Sequence, residues 1–149
     1  MKSPESRLPI SLLLLRLGVF VVLLMWTLDK FVRPEHAAAV FGKFYLLEGL
    51  GQGAFFAIGL AQLAIIVAFV VGLFRTWTYG LVLAMHGVSS LSAVKQYLAP
   101  FDNLLFFAAW PMLAACLALF LLREDDRLLS FDAWRASRKA RSGTPLTGT

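Results

Sequence analysis

Apolar residues along the chain gather into four long runs, Ile10–Leu28, Gly53–Phe74, Trp77–Leu98 and Leu104–Leu122, each 19 to 22 residues long. At about 1.5 Å rise per residue, each run crosses a hydrocarbon layer about 30 Å thick as a helix. No run alternates with a period of two, which excludes a β-barrel reading. The connections after the second and third runs, Arg75–Thr76 and Ala99–Asn103, are so short that neighbouring helices must be antiparallel. The pattern predicts an all-α membrane protein: a four-transmembrane-helix up-down bundle over residues 1–127, followed by a basic tail over 128–149.

The one long connection, Arg33–Gly53, has its own pattern. Pro34 and Glu35 suit the first turn of a helix, after which Val40, Phe41, Phe44 and Leu47 fall on one face. A short interfacial helix between the first and second spans is expected, ended by Gly49, Gly51 and Gly53. The tail starts with the charged cluster Arg123–Arg127. Its Leu128, Leu129, Phe131 and Trp134, set among later arginines, suit anionic headgroups, and Ser142–Thr149 reads as disordered.

Composition sharpens this picture by exclusion. Hydrophobic residues make up 59% of the 149 and charged residues 15%, with a mean hydropathy of +0.74; soluble domains hold roughly 45–50% and about 25%. Disorder and nucleic-acid binding are excluded for want of charge, and a disulfide scaffold because Cys116 is the single cysteine. The net charge of +5 is therefore read through the positive-inside rule. Lys2, Arg7, Arg75, Arg123, Arg127, Arg135, Arg138, Lys139 and Arg141 lie on the side of the termini; Lys30, Arg33, Lys43 and Lys95 lie opposite. The asymmetry predicts cytoplasmic termini in a bacterial inner (plasma) membrane. Lys2 and Arg7 before Leu12–Leu15 imitate a signal peptide, but no small-residue cleavage site follows, so an uncleaved first helix is expected.

Ionisable and polar groups inside spans are costly and mark candidate sites. Arg16 lies roughly 9 Å in from one end of its helix, Gln62 roughly 14 Å in from the opposite face, and His86 near mid-span. At about 100° per residue, Tyr79, His86, Ser90 and Tyr97 share a stripe on the third span, while Arg16, Thr27 and Lys30 share one on the first. Facing inward, these stripes line a polar cleft open to the outer face, where Asp29, His36, Glu48, Gln52 and Asp102 also collect. The candidate ligand-binding set is Arg16, Lys30, Gln62, Tyr79, His86 and Ser90. Each also has a purely structural reading: a snorkelling arginine, interhelical glue at Gln62, a satisfied core histidine. Trp110-Pro111 reads as a helix irregularity. His36, His86 and Cys116 lack metal-ligand spacing, so no metal is expected, and no catalytic residue is assigned.

The run Leu14-Leu15-Arg16-Leu17-Gly18, then Asp29-Lys30-Phe31, Gly59-Leu60-Ala61-Gln62-Leu63, Gly72-Leu73-Phe74-Arg75 and Tyr79-Gly80-Leu81, resembles the DoxX-like family of small four-helix membrane proteins. The likeness covers most of Leu14–Ser92; the fourth span fits by hydropathy alone. Family patterns place a glutamate where Gln62 stands here, which argues against proton movement through that position. The resemblance implies a redox-linked membrane subunit or accessory, associated with quinone and sulfur chemistry. A quinone head group in the cleft and a redox partner protein would follow, with no cofactor bound by the chain itself. Two other readings stand beside it. One is a non-enzymatic interaction or assembly protein, favoured by the small pairs Ala57/Ala61 and Ala114/Ala118 and compatible with a homo-oligomer. The other is a small transporter. The lipid bilayer is the expected partner in all three, and nucleic acid in none.

Overall fold

Helices account for all the regular structure in the computed structural model, which describes residues 7–47 and 49–142, and no strand occurs among those residues. The order is α1 (Leu8–Val32), α2 (Pro34–Tyr45), α3 (Gln52–Val70), α4 (Arg75–Ser92), α5 (Val94–Tyr97), two 3₁₀ turns (Pro100–Asp102 and Leu104–Ala108), α6 (Ala109–Leu121) and α7 (Phe131–Ser142). Three helical stretches are long and apolar enough to cross a bilayer: α1, α3 and the continuous run Leu104–Leu121. α4 is not among them, because Arg75, Thr76, Thr78, Tyr79, His86, Ser89, Ser90 and Ser92 dilute its apolar character.

α1 packs on α3 and α6, and α4 packs on the same two, so the four helices enclose one core. That core is Leu12, Val19, Leu23, Ile66, Phe69, Tyr79, Val82, Cys116 and Leu119. Large apolar side chains also point outward, Leu14, Trp77 and Leu105 among them. So many exposed apolar side chains suit a membrane environment, where the lipid tails take up what water would reject.

Local chemistry explains where the element boundaries depart from the expected runs. α1 carries Pro9 in its first turn and continues past Leu28 until Pro34, whose ring disfavours helix at the preceding residue. A short helix, predicted after Pro34, is present as α2; Phe41 meets Phe55 of α3 edge-on, with ring centroids 5.3 Å apart. The third run does not continue to Leu98. Ser90 Oγ donates to the His86 carbonyl at 2.8 Å and Ser92 Oγ to that of Ser89 at 2.8 Å, and the helix ends before Ala93. Serine hydroxyls offer the backbone such alternatives to the helical ladder. Ahead of α6 the chain winds as a 3₁₀ turn to Ala108, since Pro111 has no N–H for the Phe107 carbonyl. The tail holds a further helix, α7, in the stretch read as a basic tail. Lys2 and Glu48 lie outside the described residues, as does the stretch read as disordered beyond Ser142.

Candidate functional site

α3 ends in a paired-turn cap that needs glycine. The Leu73 amide donates to the Ala68 carbonyl at 2.9 Å and the Gly72 amide to that of Phe69 at 3.0 Å, with Gly72 at φ +64°. This is a Schellman cap with glycine at its left-handed position. The carbonyls it leaves over, Val71 and Gly72, accept from the first amides of α7, Phe131 N at 2.9 Å and Asp132 N at 3.1 Å. Orphan acceptors of one helix end thereby satisfy orphan donors of another. Ser130 caps α7, its Oγ accepting from the Ala133 amide at 3.4 Å and donating to Gly72 O at 3.2 Å. Asp132 reaches across to the start of α4, where its carboxylate accepts from the Arg75 amide at 2.9 Å. A carboxylate at a helix N-terminus is favoured by the helix dipole.

Into this junction projects Arg16, with no exposed surface. Its Nη1 lies 3.3 Å from Asp126 Oδ2 and donates to Tyr79 Oη at 3.2 Å. Its Nη2 donates to the Leu128 carbonyl at 2.6 Å and to that of Leu129 at 3.3 Å. Tyr79 closes the triangle, donating to the same Asp126 oxygen at 2.6 Å while its ring packs edge-on against Phe69. The planar guanidinium suits this task, presenting a fixed fork of donors that an ammonium lacks. Arg75 adds a second clasp, its Nη1 donating to the Arg123 and Asp126 carbonyls. The segment 122–130, between α6 and α7, is thus fastened by α1, by α4 and by the α3–α4 turn.

The sequence-derived candidates divide among separate settings. Arg16 and Tyr79 meet in this junction, with Asp126 as a partner the sequence reading missed. His86 and Ser90 form a second pair: His86 Nε2 donates to the Ala109 carbonyl at 3.0 Å, which ties α4 to the irregular start of α6. Lys30 sits at the far end of α1, where Nζ donates to the Trp26 carbonyl at 3.0 Å and lies 5.6 Å from the centre of the Phe41 ring. Beside it, Asp29 accepts from Arg33 Nε at 2.8 Å and from His36 Nδ1 at 2.6 Å, joining α1 to α2. Gln62 is half-buried and its Oε1 is enclosed without a hydrogen-bond partner.

No cluster of three or more His, Cys, Asp or Glu side chains suitable for a metal ion occurs among the described residues. A polar depression of about 300 Å³ opens beside the junction, lined by Phe74, Arg75, Thr76, Trp77, Glu124 and Asp132. Compared with family models, curated proteins and solved structures, the chain finds no match in any of the three.

Proposed function

We propose that this chain is a non-enzymatic membrane interaction or assembly module of DoxX-like type, whose buried polar groups hold a cytoplasmic segment in a fixed pose. The observation that carries the reading is the Arg16–Tyr79–Asp126 junction. An arginine buried in an apolar helix is retained at high desolvation cost, and here its contacts serve to fasten residues 126–129. In this reading α4 is the fourth membrane-crossing helix, with Arg75 and Tyr79 turned toward the junction and His86 toward the start of α6. The basic residues near the junction support a cytoplasmic side for it, both termini and α7, in a bacterial inner membrane. A cysteine-scanning experiment in a Cys116→Ser background checks the orientation. Ser142→Cys is expected to label only from the cytoplasmic side and Glu35→Cys only from the opposite side; the reverse pattern contradicts it.

A second reading, a quinone-binding accessory of a redox complex, is favoured by Gln62, whose enclosed oxygen lacks a donor and would accept from a hydroxyl of the reduced quinol form. The proposed donors to the oxidised quinone are largely engaged elsewhere. Arg16, Tyr79, Lys30 and His86 already donate to protein oxygens. His86→Gln separates the two readings. With His86 as a packing residue, the variant is expected to lose about 0.5–1.5 kcal/mol, the worth of one hydrogen bond, and gentle purification should return protein partners or a second copy without stoichiometric quinone. Stoichiometric quinone in the parent, lost from a stably folded His86→Gln, overturns the assembly reading.

A further inference from the structure

α7 is fastened at its first turn and exposed over most of its later residues. Residues 134–142 are exposed, including Arg135, Arg138, Lys139 and Arg141, and Phe131 and Trp134 are roughly half exposed. At about 100° per residue, Phe131, Trp134, Arg135, Arg138 and Arg141 fall within one arc of about 120°. The two aromatic rings lie 5.4 Å apart, and the Arg138 guanidinium sits 4.6 Å from the centre of the Trp134 ring. The single acidic residue of the helix, Asp132, is turned to Arg75 and the start of α4.

We infer that this face of α7 binds the anionic phospholipid headgroups of the membrane that holds the bundle. The inference rests on the proposed membrane-spanning reading and names the surface its basic helix meets. Charge complementarity supports it: three guanidiniums on one face, with no acidic residue among them, match a phosphate layer. The interleaved aromatics add to the match, since tryptophan favours the headgroup level and arginine stems lie along apolar surface while their heads reach phosphate. Tethering supplies the rest. α7 begins ten residues after the end of α6, and its first turn is pinned to the carbonyls of Val71 and Gly72. The helix is therefore held at the end of the membrane-crossing elements, and the latch orders it before any lipid binds. Anionic lipid and the buried latch then stabilise one another, because two equilibria that share one pose of α7 are coupled reciprocally.

The test uses the full chain with Trp26→Phe, Trp77→Phe and Trp110→Phe, which leaves Trp134 as the reporter. It is reconstituted either in phosphatidylcholine vesicles or in equimolar phosphatidylcholine and phosphatidylglycerol. Flotation with the vesicles after alkaline washing reads the membrane-spanning premise separately. In the anionic vesicles Trp134 is expected to emit at shorter wavelength and to be quenched by brominated lipid, with high salt reversing both changes. In neutral vesicles quenching is expected to be weaker. Arg138→Gln with Arg141→Gln is expected to lower the ratio of lipid-resting to lifted helix by about 25-fold, about fivefold per charge. These arginines are exposed, and the salt arm needs no variant. Equal quenching in both vesicle types overturns the proposal. So does Trp134 remaining open to aqueous iodide in both, which assigns the face to a soluble acidic partner instead.

Discussion

Arg16→Leu is expected to lower the stability of the protein in mild detergent by about 3–5 kcal/mol, the cost of stranding a buried charge without its partner. The stranded group is Asp126, fully enclosed, with one oxygen already lacking a partner and the other shared between Arg16 and Tyr79. Two backbone carbonyls, those of Leu128 and Leu129, lose their donor at the same time. Arg16→Lys is expected to recover part of the loss. It restores the positive charge but not a planar fork able to span a carboxylate, a phenol and two carbonyls. Thermal unfolding followed by circular dichroism checks both variants. An Arg16→Leu protein as stable as the parent would show that the arginine is a bystander.

The second large effect is expected at Gly72, where a single methyl group meets three obstacles. A Cβ built there falls 2.7 Å from Ser130 Oγ, 2.9 Å from Arg16 Nη1 and 2.9 Å from Ser130 Cα. The backbone at Gly72 is also left-handed, at φ +64°, which costs a residue with a side chain about 1–2 kcal/mol. The serine hydroxyl can rotate, but its Cα is held by the bonds from Phe131 and Asp132 to the carbonyls of Val71 and Gly72. Gly72→Ala therefore detaches the start of α7 instead of merely straining one turn. Trypsin is expected to cut after Arg127 and Arg135 many-fold faster in the variant, while the His86 to Ala109 contact at the other part of α4 stays protected from hydrogen exchange. Unchanged proteolysis would mean that α7 is not held by this turn.

Much of the helical framework was legible because it depends on local pattern. Apolar runs of membrane length gave α1, α3 and the stretch ending at Leu121, and Pro34 with its amphipathic successors gave α2. Arg16 also declared itself, since an arginine in the middle of Leu12–Leu17 has few inexpensive places to be. Its partner did not. Asp126 belongs to the run Arg123-Glu124-Asp125-Asp126-Arg127, where three neighbouring acids look alike and composition points to water. Only the fold distinguishes them: Glu124 and Asp125 stay exposed while Asp126 turns inward more than a hundred positions from Arg16. The stripe on the third run joined His86 to Ser90, which meet one turn apart, yet it also joined both to Tyr79, which lies two turns from His86 and belongs to the junction. Helical phase gives direction around an axis but no depth along it, so a shared stripe did not amount to a shared site. Leu129 and Phe74 take left-handed backbone without being glycine, at φ 48° each, and no sequence signal announces that.

The account stands on Arg16 and Asp126 acting as one unit that fastens the segment after α6, and a double-mutant cycle reads that coupling directly. Arg16→Met, Asp126→Leu and the double variant are compared with the parent for unfolding free energy in the same detergent. The double variant removes both charges together, so it escapes the stranded-charge cost that each single variant bears. The predicted result is a coupling energy of about 2–3 kcal/mol, with the double variant more stable than Arg16→Met alone. Losses that add to within about 0.5 kcal/mol would contradict the account, because independent residues behave that way and a buried latch does not.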